Sequence, residues 1–404
     1  MKTKLLLFVT TLLMTAMGVQ ADDAFVVWDE TNTTLYFSYG AVPTEGDSWT
    51  PAGGSAITAT KVWSGTDVTA KSEDPGWFST SATMVVIEAS FKSVKPTSCY
   101  AWFARQMDLT TIKGLTNLDT SNASNFFWMF DECKSLTSLD LSSFDTSKVT
   151  DMSNMFNGCT VLKTIIVGDK WSTASIGSGG GVFGECTSLI GEDGTKYDNE
   201  NWNYDKAHTG AGGYLTKKTV TVAANTVGSD NWATYYKSNV NRQADANTTV
   251  YTAAVSGDKM ILTEISDKII KAGQAVILKS SAASITLTST IDDATGDFTG
   301  NVLEGVDVAT DRASDNTYYV LGKGSAGIIG FYKYERTLSA NKAFYKVAAG
   351  SREYFTIEGF STGIQEMEAV SGKKADVYYD LSGRRLAQPK KGVNIVNGKL
   401  VIIK

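Results

Sequence analysis

The chain has 404 residues, with 37 Lys and Arg against 43 Asp and Glu, a single histidine and a formal charge of −6. An acidic body argues against a nucleic-acid partner, and one histidine leaves little room for His-based catalysis. Charged residues make up only 20% of the chain while Gly, Ser, Thr and Asn are abundant, the composition of a strand-rich and turn-rich extracellular protein of two to four domains.

Residues 1–21 read as a secretory signal peptide. Lys2 and Lys4 give the positive start, Leu5 to Met17 the apolar run, and Val19-Gln20-Ala21 a small-residue site that predicts cleavage at Ala21-Asp22. The run is too short to span a bilayer and no stop-transfer pattern follows, so export without a transmembrane segment is expected, to the medium or the outer cell surface. No cysteine precedes Cys99, which excludes lipid attachment through an N-terminal cysteine. Residues 22–100 carry strand-like runs at Phe25 to Trp28, Thr34 to Tyr39 and Met84 to Phe91, punctuated by Gly, Pro, Ser and Asp. They are expected to cap the element that follows.

Residues 101–218 repeat. Phe103, Phe130, Phe156 and Phe183 follow at intervals of 27, 26 and 27, Cys133, Cys159 and Cys186 each come three residues after a phenylalanine, and Leu109, Leu136, Leu162 and Leu189 keep the same beat. A fixed period in the twenties predicts a solenoid, whose coils bury their apolar faces only by stacking. Leu136 to Phe144 read as a short strand. Asp145 to Phe156 then predict a short helix, capped by Thr150 or Asp151, with Met152, Met155 and Phe156 on one apolar face. The repeated Phe, Cys and Leu are expected as structural core. Equivalent cysteines would lie about 4.8 Å apart with parallel side chains, a poor geometry for a disulfide, so a ladder of free thiols is expected; Cys99, in the register of Phe126 and Met152, should be unpaired too.

Phe127 and Trp128 stand where the next copy has Ser153 and Asn154. An aromatic residue there is either covered by another domain, the preferred reading, or part of a binding face. From Gly191 to Lys218 the repeat decays into a polar, Gly-rich cap. Its Asp193, Asp198, Glu200 and Asp205 miss the spacing of the helix–loop–helix calcium site, and three cysteines in a ladder do not converge on zinc, so no metal and no cofactor are predicted.

Residues 219–362 hold about eight alternating strand-like runs with no convincing helix, which predicts a β-sandwich. Its aromatics could stack on sugar rings, with Trp232, Tyr332 and Tyr334 the candidate ligand-facing positions beside Trp128. A linker is expected over residues 363–374 and a small β unit over 375–404. From Val370 onward eight Lys and Arg face two Asp, so this basic end is a candidate for association with anionic envelope polymers.

The segments PTSCYAWF (Pro96 to Phe103), DTSKVTDMSNMFNGCTVL (Asp145 to Leu162) and GEDGTKYD…GGYLTKK (Gly191 to Lys218) resemble BspA-type leucine-rich-repeat surface proteins of host-associated bacteria. WATYYKS, KAGQAVILK and SANKAFYK look like a module of secreted Bacteroidetes proteins, and VYYDLSGRRL…KKGVNIVNGK is similar to the end of their C-terminal sorting domains. The first coil departs from the repeat, with Gln106 where cysteine is usual, and SIGSGGG (Ser175 to Gly181) interrupts the last. The resemblance implies a mostly β protein with short helices, displayed at the surface and adhering to protein or glycan on host or neighbouring cells.

No catalytic constellation accompanies this. His208 sits in a loose Gly-rich segment, and HExxH, GxSxG and phosphate-binding glycine motifs are lacking. A non-catalytic binding protein is therefore expected, with carbohydrate binding through the sandwich the alternative and a two-carboxylate glycoside hydrolase a remote one.

Overall fold

Stacked coils of 26 or 27 residues build the first half of the molecule, and β-strands build nearly all of the second. The computed structural model describes residues 22–358 apart from 79, 228, 325–327 and 349–351, and beyond these only the strands Tyr378–Tyr379, Arg385–Leu386, Gly392–Val396 and Lys399–Ile403. The expected signal peptide, the linker and the side chains of the basic end lie outside the described residues.

On one side of the stack each coil contributes a short parallel strand. Thr34–Ala41 pairs with Met84–Ile87, which pairs with Thr111–Lys113; further along, Ser138–Leu141, Thr164–Val167 and Thr216–Lys217 pair in the same sense. On the other side, parallel bridges join Ser98 to Asn125, Asn125 to Asp151 and Asp151 to Ser178.

Each coil was expected to turn through a short helix, and it does not. Met152, Met155 and Phe156 lie on consecutive turns. The reason is the hydrogen-bond traffic between coils. The amides of Asn154, Phe156 and Gly158 donate to Gly180, Val182 and Gly184 of the next coil, while those of Met155, Asn157 and Cys159 donate three residues back. A helix would need all six of these donors for itself. Backbone in the left-handed region at Asn154 (φ 55°) and Gly158 (φ 75°) breaks any helical run every four residues, yet leaves the i, i+3, i+4 apolar side chains facing inward. Helix among the described residues is confined to Thr66–Thr69 and three 3-10 turns, so the fold is mostly β with very few short helices.

The interior is a column of rings. Phe103, Phe130, Phe156 and Phe183 are fully buried, with successive centroids 5.2, 5.6 and 5.7 Å apart. Tyr214 closes one end edge-on, 5.4 Å from Phe183. At the other end Phe37 meets Phe103 at 5.7 Å and Trp77 at 5.6 Å. Trp77 precedes Phe103 by one repeat length, and the Gln106 amide donates to its carbonyl at 3.1 Å. The thiols of Cys133, Cys159 and Cys186 do the same to Phe103, Phe130 and Phe156 at 3.0, 3.1 and 3.0 Å. Residues 66–87 thus supply an additional coil, its core continuous with the rest. The four cysteines are free and buried.

The second half is a ten-stranded sheet in the order Asn225–Val227, Asp230–Tyr235, Val276–Ser280, Thr248–Ser256, Lys259–Glu264, Tyr354–Ile357, Ile329–Tyr334, Asn316–Lys323, Lys342–Ala348, Leu303–Val306. It curls on itself. The amides of Ala343 and Tyr236 donate to Thr234 Oγ1 and the Asn341 carbonyl, bringing strands from opposite ends together around Trp232, Ile277, Tyr319 and Phe331. A second core, with Val250, Leu278 and Ile285, holds a four-stranded sheet of Thr219–Ala223, Ser284–Thr290, Asn241–Ala244 and Ile269–Ile270. Where two facing layers were expected, one sheet wraps a core of its own and the smaller sheet packs against it.

The two halves are joined without a spacer, strand Thr216–Lys217 running into Thr219–Ala223. Arg242, fully buried, pairs with Glu192 at 2.8 Å and donates to the Lys217 carbonyl at 3.0 Å and to Ser289. Asn239 donates to the Gly191 carbonyl at 2.8 Å, and Lys218 meets Asp140 at 2.6 Å. At the C-terminus the order Arg385–Leu386, Tyr378–Tyr379, Gly392–Val396, Lys399–Ile403 makes a small antiparallel sheet. No helix among the described residues is long and apolar enough to cross a membrane.

Candidate functional site: an aromatic strip across the coils

Two residues beyond each bridging position a pair of equivalent rows begins, buried at Ala101 and Ser153 and at least partly exposed elsewhere. In successive coils these positions hold Tyr100, Phe127, Ser153 and Gly180, and the next ones Ala101, Trp128, Asn154 and Gly181. Hydrogen bonds from Ala101, Trp128 and Asn154 to the carbonyls of Phe127, Ser153 and Gly180 stack the rows in register. Every residue of the second row is left-handed, with φ of 52°, 58°, 55° and 69°. Asn and Gly tolerate that conformation, whereas a bulky side chain pays about 1–2 kcal/mol. Trp128 is therefore held against its backbone preference.

Its ring has a local partner. Tyr100 and Phe127 lie parallel, 5° apart in plane and 5.3 Å between centroids, and Trp128 leans on both at 6.1 and 4.6 Å. All three are half-buried. Coverage of Trp128 by another domain was the preferred expectation; among the described residues its ring contacts are with Tyr100 and Phe127 of the same two coils. Burial, with the charges of Asp74 and Glu73, raises the Tyr100 phenol above its usual pKa.

Past the small residues Ser153, Asn154, Gly180 and Gly181 the strip ends on more aromatics. Trp202 to Tyr204 return antiparallel to the last coil, the Phe183 amide donating to the Trp202 carbonyl and the Tyr204 amide to that of Gly179. Trp202 and Tyr204 are 39% and 41% exposed. Small and polar residues thus lie between an aromatic cluster at one end and Trp202 and Tyr204 at the other. Sequence reasoning found Phe127 and Trp128 but missed Tyr100, although it shares their register. Nothing in the linear order places Trp202 and Tyr204 here.

The other predicted positions fall elsewhere. Phe103, Phe130, Phe156, Phe183, Leu109, Leu136, Leu162 and Leu189 are interior packing. The thiols of Cys133, Cys159 and Cys186 are pushed far up by burial, Cys159 to about 12, which leaves them protonated and unreactive. Trp232, a candidate ligand-facing residue, is 2% exposed, because its strand places it inside the curl of the large sheet. Tyr332 and Tyr334 are half-buried. The Tyr332 ring stacks on Tyr354 at 5.6 Å and its hydroxyl donates to the Ile328 carbonyl, while Tyr334 packs beside Tyr318 and Phe344. Trp232 is thus removed from any sugar-facing group on the second half, which leaves Tyr332 and Tyr334. Among the described residues no three His, Cys, Asp or Glu cluster as a metal site.

Residues 97–212, the coils and the start of their cap, match the model of a family described as Mycoplasma protein of unknown function, DUF285. No match was found among curated proteins or among solved structures.

Proposed function

We propose that this chain is an exported binding protein without catalytic activity, whose coils form a leucine-rich-repeat solenoid of the BspA type and whose aromatic strip contacts a protein partner on host or neighbouring cells. The observation that carries this reading is Trp128, a large aromatic ring kept half-exposed on a left-handed backbone where the next coil uses asparagine. The same left-handed backbone recurs at Ala101, Arg105, Glu132 and Glu185, so the stack imposes it; what sets Trp128 apart is the size of the ring kept at the surface there. Tyr, Trp and Phe are the residues that dominate protein interfaces. The parallel rings of Tyr100 and Phe127 turn their faces to one another, which takes one face of each from any stacking sugar.

The signal-like N-terminus and the sorting-like, basic C-terminus support delivery to the outside and retention there. A chain ending at Ala369 is expected to be released from cells while folding normally, as read by fractionation and circular dichroism; retention of the truncated chain would remove the anchoring role. The strip itself is tested by Trp128→Asn in the full chain, assayed on immobilised host matrix proteins and on host cells. Binding should fall by about tenfold or more, with the folded state unchanged or more stable by about 1 kcal/mol as the strain is relieved. Undiminished binding would sink the reading.

A further inference from the structure

A second feature, on the opposite, strand side of the last coil, has the chemistry of a small-ligand site. Strand Thr164–Val167 runs into the turn at Gly168, and there Trp171 and Asp169 face His208 and Thr209 of the cap loop and Lys217 of the final strand across a cavity of about 240 Å³. We propose that this cavity binds a single neutral hexopyranose, the terminal sugar of a glycan.

The frame around it is fixed. The Trp171 indole N–H donates to the Ala207 carbonyl at 3.0 Å, so what the side chain offers the cavity is its apolar ring surface. His208 Nδ1 lies 3.0 Å from the Thr209 carbonyl, an acceptor only, so Nδ1 carries the hydrogen of this contact. Gly213 permits this loop, since a β-carbon there would strike the His208 carbonyl and Nδ1. The Lys217 backbone is held from both sides, its amide by Glu192 at 3.2 Å and its carbonyl by Arg242 at 3.0 Å.

The polar groups of the cavity are unspent. Lys218, next in sequence, is paired with Asp140, but the Lys217 ammonium and the Asp169 carboxylate have no partner among the described residues. They line one cavity and do not pair with each other, so a gap separates a free donor from a free acceptor. Vicinal hydroxyls fill such a gap, giving to Asp169 and accepting from Lys217, while the C–H face of the ring lies on Trp171. A cavity of about 150 Å³ accommodates benzene, so this one has room for a six-membered ring with its hydroxyls. Glycoside hydrolysis takes two carboxylates and the cavity presents one, Asp169, so the sugar is bound and not cleaved.

The test is titration of the 15N-labelled chain with the methyl glycosides of glucose, galactose and mannose, and separately with methyl glucuronide, read on the tryptophan indole resonances. At least one glycoside should shift an indole signal saturably, and that signal should vanish in Trp171→Ala. Because Trp171 also touches the coil core, the exposed Asp169→Asn is the second variant; it should weaken binding about tenfold or more at unchanged stability. Trp128→Asn should leave the titration unaltered, which separates this site from the strip. No response to any of the three glycosides, a response unchanged in both Trp171→Ala and Asp169→Asn, or binding of methyl glucuronide alone would overturn the proposal.

Discussion

Cys159 donates its thiol hydrogen to the Phe130 carbonyl one coil away, at 3.1 Å. Burial lifts its pKa to about 12, and those of Cys133 and Cys186 well above the usual value for the same first reason. In the unfolded chain a thiol ionises from about pH 8.5. The folded state therefore holds protons that the unfolded state gives up. The stability contributed by each thiol is complete below about pH 8.5 and falls as the pH climbs toward the folded value. Urea midpoints should drop between about pH 8.5 and 10, and more steeply in the wild type than in Cys159→Ala, which has one thiol fewer to titrate. Parallel losses in the two proteins would mean that this thiol carries no linkage. Gln106 shows that the carbonyl, not the sulfur, sets the requirement: its amide serves Trp77 as the thiols serve the phenylalanines, while its oxygen accepts from the Ala82 amide at 2.8 Å.

At the scale of the coil, each repeat lends every second amide to its neighbour and keeps the others for its own turns. A coil therefore has neither a complete hydrogen-bond set nor a buried face by itself, and stability accrues through contacts between neighbours. Phe156 lies between Phe130 and Phe183, at 5.6 and 5.7 Å, with its plane within 9° of both. Phe156→Ala should cost about 3–5 kcal/mol, and amide-exchange protection should fail first in the two coils that touch it. A loss below about 1 kcal/mol would show that the column is not where the stack holds together. The same sharing explains why the apolar spacing of Met152, Met155 and Phe156 is a poor guide here. Tandem turns reproduce the inward periodicity of one helical turn, and only the destination of the amides tells them apart.

For the whole molecule the decisive contact is the junction of the halves. Buried side-chain polar atoms without a partner, among the described residues, are Thr216 Oγ1, Asn239 Oδ1 and Arg242 Nε, and all three lie there. The docking thus rests heavily on the Arg242–Glu192 pair, since removing one member of a buried pair leaves the other charge uncompensated. Glu192→Ala should cost about 3–5 kcal/mol at this contact and split thermal unfolding into two transitions, visible by scanning calorimetry. One unshifted transition would show that the halves are held by other means. The pair also supports the proposed sugar cavity indirectly, because Glu192 and Arg242 fix the backbone of Lys217.

The sequence alone determined the repeat, its inward rows of Phe, Cys and Leu, the strand-rich second half and the anomaly at Phe127 and Trp128. Each of these is a pattern of residue types at fixed intervals along one chain, and burial of apolar groups reads such a pattern directly. The tertiary structure alone decided the rest. Trp77 and Gln106 continue the column although neither matches the repeat, because a large ring and a buried donor satisfy the same space and the same carbonyl. Trp232 turned inward since a sheet that curls has an inside that strand alternation does not mark. Tyr100 joined Trp128, and Trp202 and Tyr204 reached the same strip, through hydrogen bonds between residues far apart in sequence. Composition and period fix which side chains must be hidden; which distant residues then meet at the surface depends on how the coils stack and the sheet closes.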